Sequence, residues 1–266
     1  MRLCRVCEWP MQIVTVLNEQ YEPLFHEWYR SVRANTDSEI AVIMCPTSSL
    51  PLPSDCCLIH PNPTVFPLGS PEEAAAYKML VFEMLTKHSE TVLFLDVDTI
   101  VLRPLTDIHR WEHEAMQGHF VCCIDRFVGY KERLAEEMRA IDPTFACAYF
   151  PSGEMRYVNT GVFACSKTHN ADRFKSVLAS WSQFANTTGH YPAILDQNIL
   201  NYRLQLEEWP LCLLPKAFNC LRTDDFVASG GKLFIDGEEV VIFHLNGGSA
   251  ETKIRRQAEF MHSHFR

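Results

Sequence analysis

The chain has 266 residues, 47% of them hydrophobic and 21% charged, an ordinary globular composition with enough apolar material for one large α/β core. A formal net charge of −9 argues against nucleic-acid binding, which normally needs a basic face. It leaves room for an anionic small molecule whose charge a metal ion offsets locally.

No apolar run approaches the length of a membrane span, and MRLCRVCEWP is too short and too polar for a secretory leader. The 11 cysteines therefore read as mostly free, buried thiols of a cytoplasmic protein. Cys4 and Cys7 have C-x-x-C spacing, but no second pair follows at zinc spacing, so zinc is not expected there.

In chain order, QIVTVL (12–17) reads as a buried strand, and 18–33 as a helix with Tyr21, Phe25, Trp28 and Tyr29 on one face. IAVIMC (40–45) is a second strand, and the Pro- and Ser-rich stretch 46–70 reads as loop. A helix is expected over 71–87, with Pro and two glutamates in its first turn and Met79, Phe82 and Leu85 apolar. VLFLDVDTIVL (92–102) is a strand, FVCCID (120–125) and YVNTGVFAC (157–165) are further strands, and a helix around 131–140 separates those two. Residues 170–185 and 194–205 have helical spacing, EVVIFHL (239–245) is a late strand, and 250–265 is amphipathic. Strands alternating with helices predict a single α/β domain with a mostly parallel sheet covered by helices on both faces.

The strand 92–102 carries two acids, Asp96 and Asp98, among residues that are otherwise apolar apart from Thr99. On one continuous strand they share a face. They stand just before Arg103-Pro104, where a strand ends, and open α/β sheets bind ligands beyond their carboxyl strand ends. Two carboxylates held there suit Mg²⁺ or Mn²⁺; helix capping or pairing with Arg103 is the plainer alternative.

Two enzyme classes use such a strand. FLDVDT comes close to the D-x-D-x-T of haloacid dehalogenase-type phosphatases, but that motif opens the fold, whereas here several elements precede it. Those phosphatases also need a late acidic pair on a strand end. The candidate Thr223-Asp224-Asp225 follows AFNCLR, which does not read as a buried strand. In GT-A nucleotide-sugar glycosyltransferases the same D-x-D holds a divalent metal against the donor diphosphate.

Several motifs in order resemble glycosyltransferase family 8, the group of glycogenin, galactinol synthase and lipopolysaccharide galactosyltransferases. TVLNEQY matches its uridine-binding strand end, AAYKMLVF its donor-contacting lysine helix, and LDVDTIVL its metal strand. YVNTGVFAC, LDQNILNY (195–202), LPKAFN (214–219) and IFHLNG resemble its N-[ST]-G-V, DQ-x-x-LN, LP-x-x-[YF]N and third-ligand segments. The resemblance covers about 12–253.

It implies a GT-A, Rossmann-like fold and transfer of a hexose or pentose from a UDP-sugar to a hydroxyl of a saccharide or small-molecule acceptor, with retention of configuration. About 11–167 would bind the nucleotide sugar and 168–266 the acceptor. By the same resemblance Asp96, Asp98 and His244 would ligate Mn²⁺ or Mg²⁺. Asp196 and Gln197 would act at the anomeric carbon, and Asn18, Tyr21, Lys78, Asp96, Val97, Asn159, Gly247, Gly248 and Lys253 would hold the donor. The run HLNGGSAETKIRR departs from the family's H-x-x-G-x-x-K-P-W, so Lys253, Arg255 and Arg256 all remain candidates for the diphosphate. A phosphatase using Asp96 and Asp98, or a nucleotide-sugar binder without transferase activity, are the alternatives.

Overall fold

The computed structural model describes residues 11–61, 71–81, 89–126, 128–191 and 195–264. Cys4, Cys7, the stretch 62–70, Phe82, Leu85 and the end of the helix expected to reach residue 87 lie outside these residues.

The parallel core begins with β1 (Gln12–Leu17), α1 (Glu22–Arg33), β2 (Ile40–Met44), β3 (Cys56–Ile59), α2 (Pro71–Met79) and β4 (Thr91–Leu95). After β4 come β5 (Thr99–Val101), α3 (Ile108–Met116), β6 (Phe120–Ile124), α4 (Val128–Met138), β7 (Val158–Ser166), α5 (Lys167–Thr188) and α6 (Leu195–Leu206). The last part is made of the short strands β8 (Leu211–Leu213), β9 (Cys220–Leu221), β10 (Val227–Ser229), β11 (Lys232–Ile235), β12 (Glu238–Glu239) and β13 (Ile242–His244), closed by α7 (Ala250–His264).

The central sheet has seven strands in the order β3-β2-β1-β4-β7-β6-β8. β3, β2, β1 and β4 run parallel, while β7 is antiparallel to both β4 and β6. Strand alternation sorts the core. Val14, Val16, Val92 and Phe94 face α2, α4, α5 and α6, whereas Ile13, Leu17, Leu93 and Leu95 face α1 and α3. Each fully buried Leu or Phe contributes about 1.5–3 kcal/mol relative to exposure. A third core, including Ile100, Phe243 and Phe260, joins the small β5-β13-β9 sheet to α7.

Strand order creates the site. β1 leads outward to β2 and β3, then the chain returns to place β4 on the other side of β1. This is a topological switch point, where a crevice opens beyond the carboxyl ends of the strands. Asn18 follows β1 and Asp96 follows β4.

Three expectations are corrected, and one helix was not foreseen. The stretch 92–102 is not one strand: β4 ends at Leu95, β5 belongs to a second sheet, and Asp96–Asp98 form the turn between them. The turn closes because both the N–H and hydroxyl of Thr99 donate to the Asp96 carbonyl, at 3.0 and 2.8 Å. Within the supposed loop 46–70, CCLI forms the edge strand β3, which needs only β2 on one side. LPKAFN, likened to a family strand, holds a 3-10 turn at Lys216–Phe218, and AFNCLR, which did not read as a buried strand, contains the buried strand Cys220–Leu221 held by β13. Helix α3 was not anticipated, although Ile108, Trp111 and Ala115 have the spacing of one buried face.

Candidate active site

Asp96 and Asp98 converge because of their turn, not because of strand alternation. The Asp96 N–H donates to the Gly161 carbonyl at 2.8 Å, extending the β4–β7 pairing by one bond, and the Asp98 carbonyl accepts from Leu245 N at 2.9 Å. β13 pairs antiparallel with β5 and sets His244 opposite Thr99. The imidazole Nε2 then lies 3.3 Å from Asp98 Oδ1 and 3.9 Å from Asp96 Oδ2. One ligand atom from each of Asp96, Asp98 and His244 falls within 4.8 Å of the others. Two hard carboxylate oxygens with one imidazole nitrogen are a donor set that suits Mn²⁺ or Mg²⁺.

The position is made possible by a missing side chain. A Cβ on Gly161 would lie 2.2 Å from His244 Cε1, so the ring packs directly against the β7 backbone.

Two lysines, one of them buried, tie the acids together. Lys78 of α2 places its ammonium 2.9 Å from Asp96 Oδ1 and 3.0 Å from Asp196 Oδ2, and donates to the Thr160 carbonyl at 3.3 Å. Burial alone would pull Lys78 down, but Asp196 and Asp96 outweigh it and hold the ammonium above its ordinary pKa. Lys253 of α7 reaches Asp98 Oδ2 at 2.6 Å and lies 5.3 Å over the Tyr21 ring. Asp98 is held well below the usual carboxylate range: burial opposes this, but His244 and Lys253 prevail. Asp96 is shifted upward, by burial first and by Asp98 beside it, against the pull of Lys78.

Tyr21, Lys78, Asp96, Val97, Asp98, Asp196 and Lys253 line one cleft of about 140 Å³, joined by Val16, Ala74 and Ala75. Asn18 is buried and outside the lining residues; its side chain accepts the Tyr21 N–H at 3.2 Å and fixes the turn that carries Tyr21. Asn159 and Gln197 lie behind the cleft in a buried network with Asp125. Gln197 Nε2 and Asn159 Nδ2 donate to Asp125 Oδ2 at 2.9 and 3.2 Å. Gly247 and Gly248 do not line the cleft. They form a positive-φ turn into α7, and the Gly247 carbonyl accepts from Arg256 Nη1 at 2.8 Å. Among the three candidate cations, Arg255 pairs with Glu259 and Lys253 alone reaches Asp98.

Asp125, Asn219 and Gly161 were not singled out from the sequence. Asp125 carried the same signal as the D-x-D, an acid closing the apolar run FVCCI. Arg103 pairs with Glu239 at 3.6 Å rather than with either aspartate. Asp224, the acid required by the phosphatase reading, is held by Lys216 at 3.1 Å and by the Leu221 N–H at 2.8 Å.

No family model and no curated protein matches the chain in sequence. In structure it is similar to galactosyltransferase LgtC in complex with donor and acceptor sugar analogs. The TM-score is 0.62 at 20% identity over 96% of this chain and 97% of that one. The fold is that of the GT-A glycosyltransferases. A second similarity is to mouse xyloside xylosyltransferase 1 in its apo form, with TM-score 0.58 at 12% identity over 89% of this chain and 97% of that one. A third is to the bifunctional glycosyltransferase WbbM, with TM-score 0.54 at 13% identity over 96% of this chain and 51% of that one. Among the described residues no helix of this GT-A chain is long and apolar enough to cross a membrane.

Proposed function

We propose that this chain is a metal-dependent glycosyltransferase that moves a hexose or pentose from a UDP-sugar to a hydroxyl of a saccharide or small molecule. The observation that carries the reading is the cleft itself: the Asp96–Asp98–His244 cluster at the switch point, linked through Lys78 to Asp196. Two acids of different duty thereby share one buried cation.

Asp96, Asp98 and His244 would hold Mn²⁺ or Mg²⁺, which would supply Lewis acidity toward the nucleoside diphosphate leaving group. Lys253 adds a positive charge at the diphosphate end, beside Tyr21 where the nucleoside enters. Asn18 orients Tyr21 and Val97 lines the floor, while the Gly247–Gly248 turn positions α7 and with it Lys253. Asp196, fixed by Lys78, faces the cleft as a carboxylate that stabilises positive charge developing at the anomeric carbon. Gln197 and Asn159, anchored on Asp125, support the sugar end. Retention of configuration follows from the family 8 resemblance, with residues 168–266 supplying the acceptor side.

A thermal-shift titration with UDP, GDP and their sugars, each with Mn²⁺ and with chelator, tests this. Ligand at about a hundred times its Kd adds roughly 2.7 kcal/mol, a clear rise in Tm. A rise for UDP or one UDP-sugar that needs Mn²⁺ is expected. A metal response with no nucleotide response would overturn the transferase reading.

A further inference from the structure

A hydrogen-bond chain of fixed polarity runs from the β7 backbone to His244. The Gly161 N–H can only donate, so the Asn159 side-chain atom 2.8 Å away is its oxygen. The amide nitrogen of Asn159 then faces acceptors, Asp125 Oδ2 and Gln197 Oε1, each at 3.2 Å. A second backbone donor agrees: Thr160 N–H meets Gln197 Oε1 at 3.3 Å, leaving Gln197 Nε2 to donate to Asp125.

Asn159 Oδ1 also meets Asn219 at 2.9 Å, and that atom of Asn219 must donate, so it is Nδ2. Asn219 Oδ1 is left facing His244 Nδ1 at 3.1 Å. An amide oxygen cannot donate, so Nδ1 carries a hydrogen and the ring is held with Nε2 turned toward Asp98 and Asp96. The register β13–β9 pairs His244 with Leu221, two residues beyond Asn219, which is itself 3% exposed.

We infer that Asn219 is a positioning residue of the metal cluster: its amide sets the tautomer and the aim of His244. This rests on the metal-dependent reading above. Outer partners of ligating histidines act in this way in metal sites generally, and losing one costs about 10–100-fold in metal affinity. The pair of amides matters because Asn219 needs both ends: its nitrogen is spent on Asn159, which leaves only oxygen for the ring.

The test uses wild type, Asn219→Leu and Asn219→Asp. Aspartate keeps an acceptor for Nδ1–H but has no donor for Asn159; leucine keeps neither. Long-range ¹H–¹⁵N spectra of the metal-free protein report the His244 tautomer, assigned by difference from His244→Gln. Mn²⁺ affinity without nucleotide is read by electron paramagnetic resonance.

Wild type and Asn219→Asp are expected to keep Nδ1–H and to bind Mn²⁺ alike. Asn219→Leu is expected to lose the single tautomer and to bind about 10–100-fold more weakly. Equal weakening in both variants, or a wild-type ring without Nδ1–H, overturns the inference. If Asn219→Leu fails to fold, the wild-type spectrum and Asn219→Asp still decide it. Wild type that keeps Nδ1–H yet binds no Mn²⁺ overturns the metal reading and, with it, the purpose assigned to Asn219.

Discussion

Lys253 sets its ammonium 2.6 Å from Asp98 Oδ2, on the same carboxylate whose other oxygen faces His244. A divalent cation bound at the proposed site would compete with this lysine for Asp98. Replacing Lys253 with Met is expected to raise the affinity for Mn²⁺ alone several-fold and to lower the affinity for UDP once Mn²⁺ is bound. Calorimetric titrations with each ligand separately measure both. Weaker Mn²⁺ binding in the variant would show that Lys253 supports the cluster rather than competing with the metal.

Gly161→Ala places a methyl group in the space of the His244 ring. Overpacking of this kind costs about 1–3 kcal/mol. Here the ring moves away from the acids as well, so a lowered Tm is expected together with lost Mn²⁺ binding. A variant that melts lower yet binds Mn²⁺ normally would mean the ring has another resting place.

Lys78→Met leaves Asp96 and Asp196 facing each other without their shared cation. Breaking a buried ion pair from one side costs about 3–5 kcal/mol. Asp96, already shifted upward, loses the group that pulls it down. Urea unfolding with chelator should show the loss, and added Mn²⁺ should stabilise the variant more than wild type. An unchanged urea midpoint would argue that the three groups are solvated in solution.

Asp196→Ala is expected to bind UDP and Mn²⁺ as wild type does and to lose sugar transfer and donor hydrolysis. Product analysis with the donor picked out by thermal shift measures this. Transfer at the wild-type rate would remove Asp196 from the chemistry.

Burial pushes the Cys45 thiol up to about 12, and Cys122, Cys123 and Cys165 are also buried and raised. In the unfolded chain thiols ionise from about pH 8.5. The stabilisation these neutral thiols provide is complete below that pH and is lost as pH rises toward the folded values. Urea midpoints should fall between pH 8 and pH 10, less so in Cys45→Ala measured against its own neutral-pH midpoint. Alkylation at pH 8 should reach Cys56, Cys57, Cys147 and Cys212 before these buried sites.

Much of this architecture is legible in the residues because it is local or periodic. The apolar runs of β1, β2, β4 and β7 declare buried strands, and the Tyr21–Tyr29 aromatic spacing declares α1. Acids at the ends of such runs mark ligand sites, since an unpaired carboxylate is costly in a core. The short strands β3, β8 and β9 were not legible, because two to four residues carry no period and exist only through their neighbours.

By itself the sequence determined which groups the proposed chemistry would use: a D-x-D after an apolar run, a lysine helix before it, and a late histidine on a strand. Only the tertiary structure decided how they meet. The turn at Asp96–Asp98, the antiparallel seat of His244, the lysine shared by Asp96 and Asp196, and the polarity of the Asn159–Asn219 chain join residues as much as 148 positions apart, the separation of Asp96 and His244. Such contacts depend on sheet order and on the direction of hydrogen bonds, and neither is written in the spacing of residues along the chain.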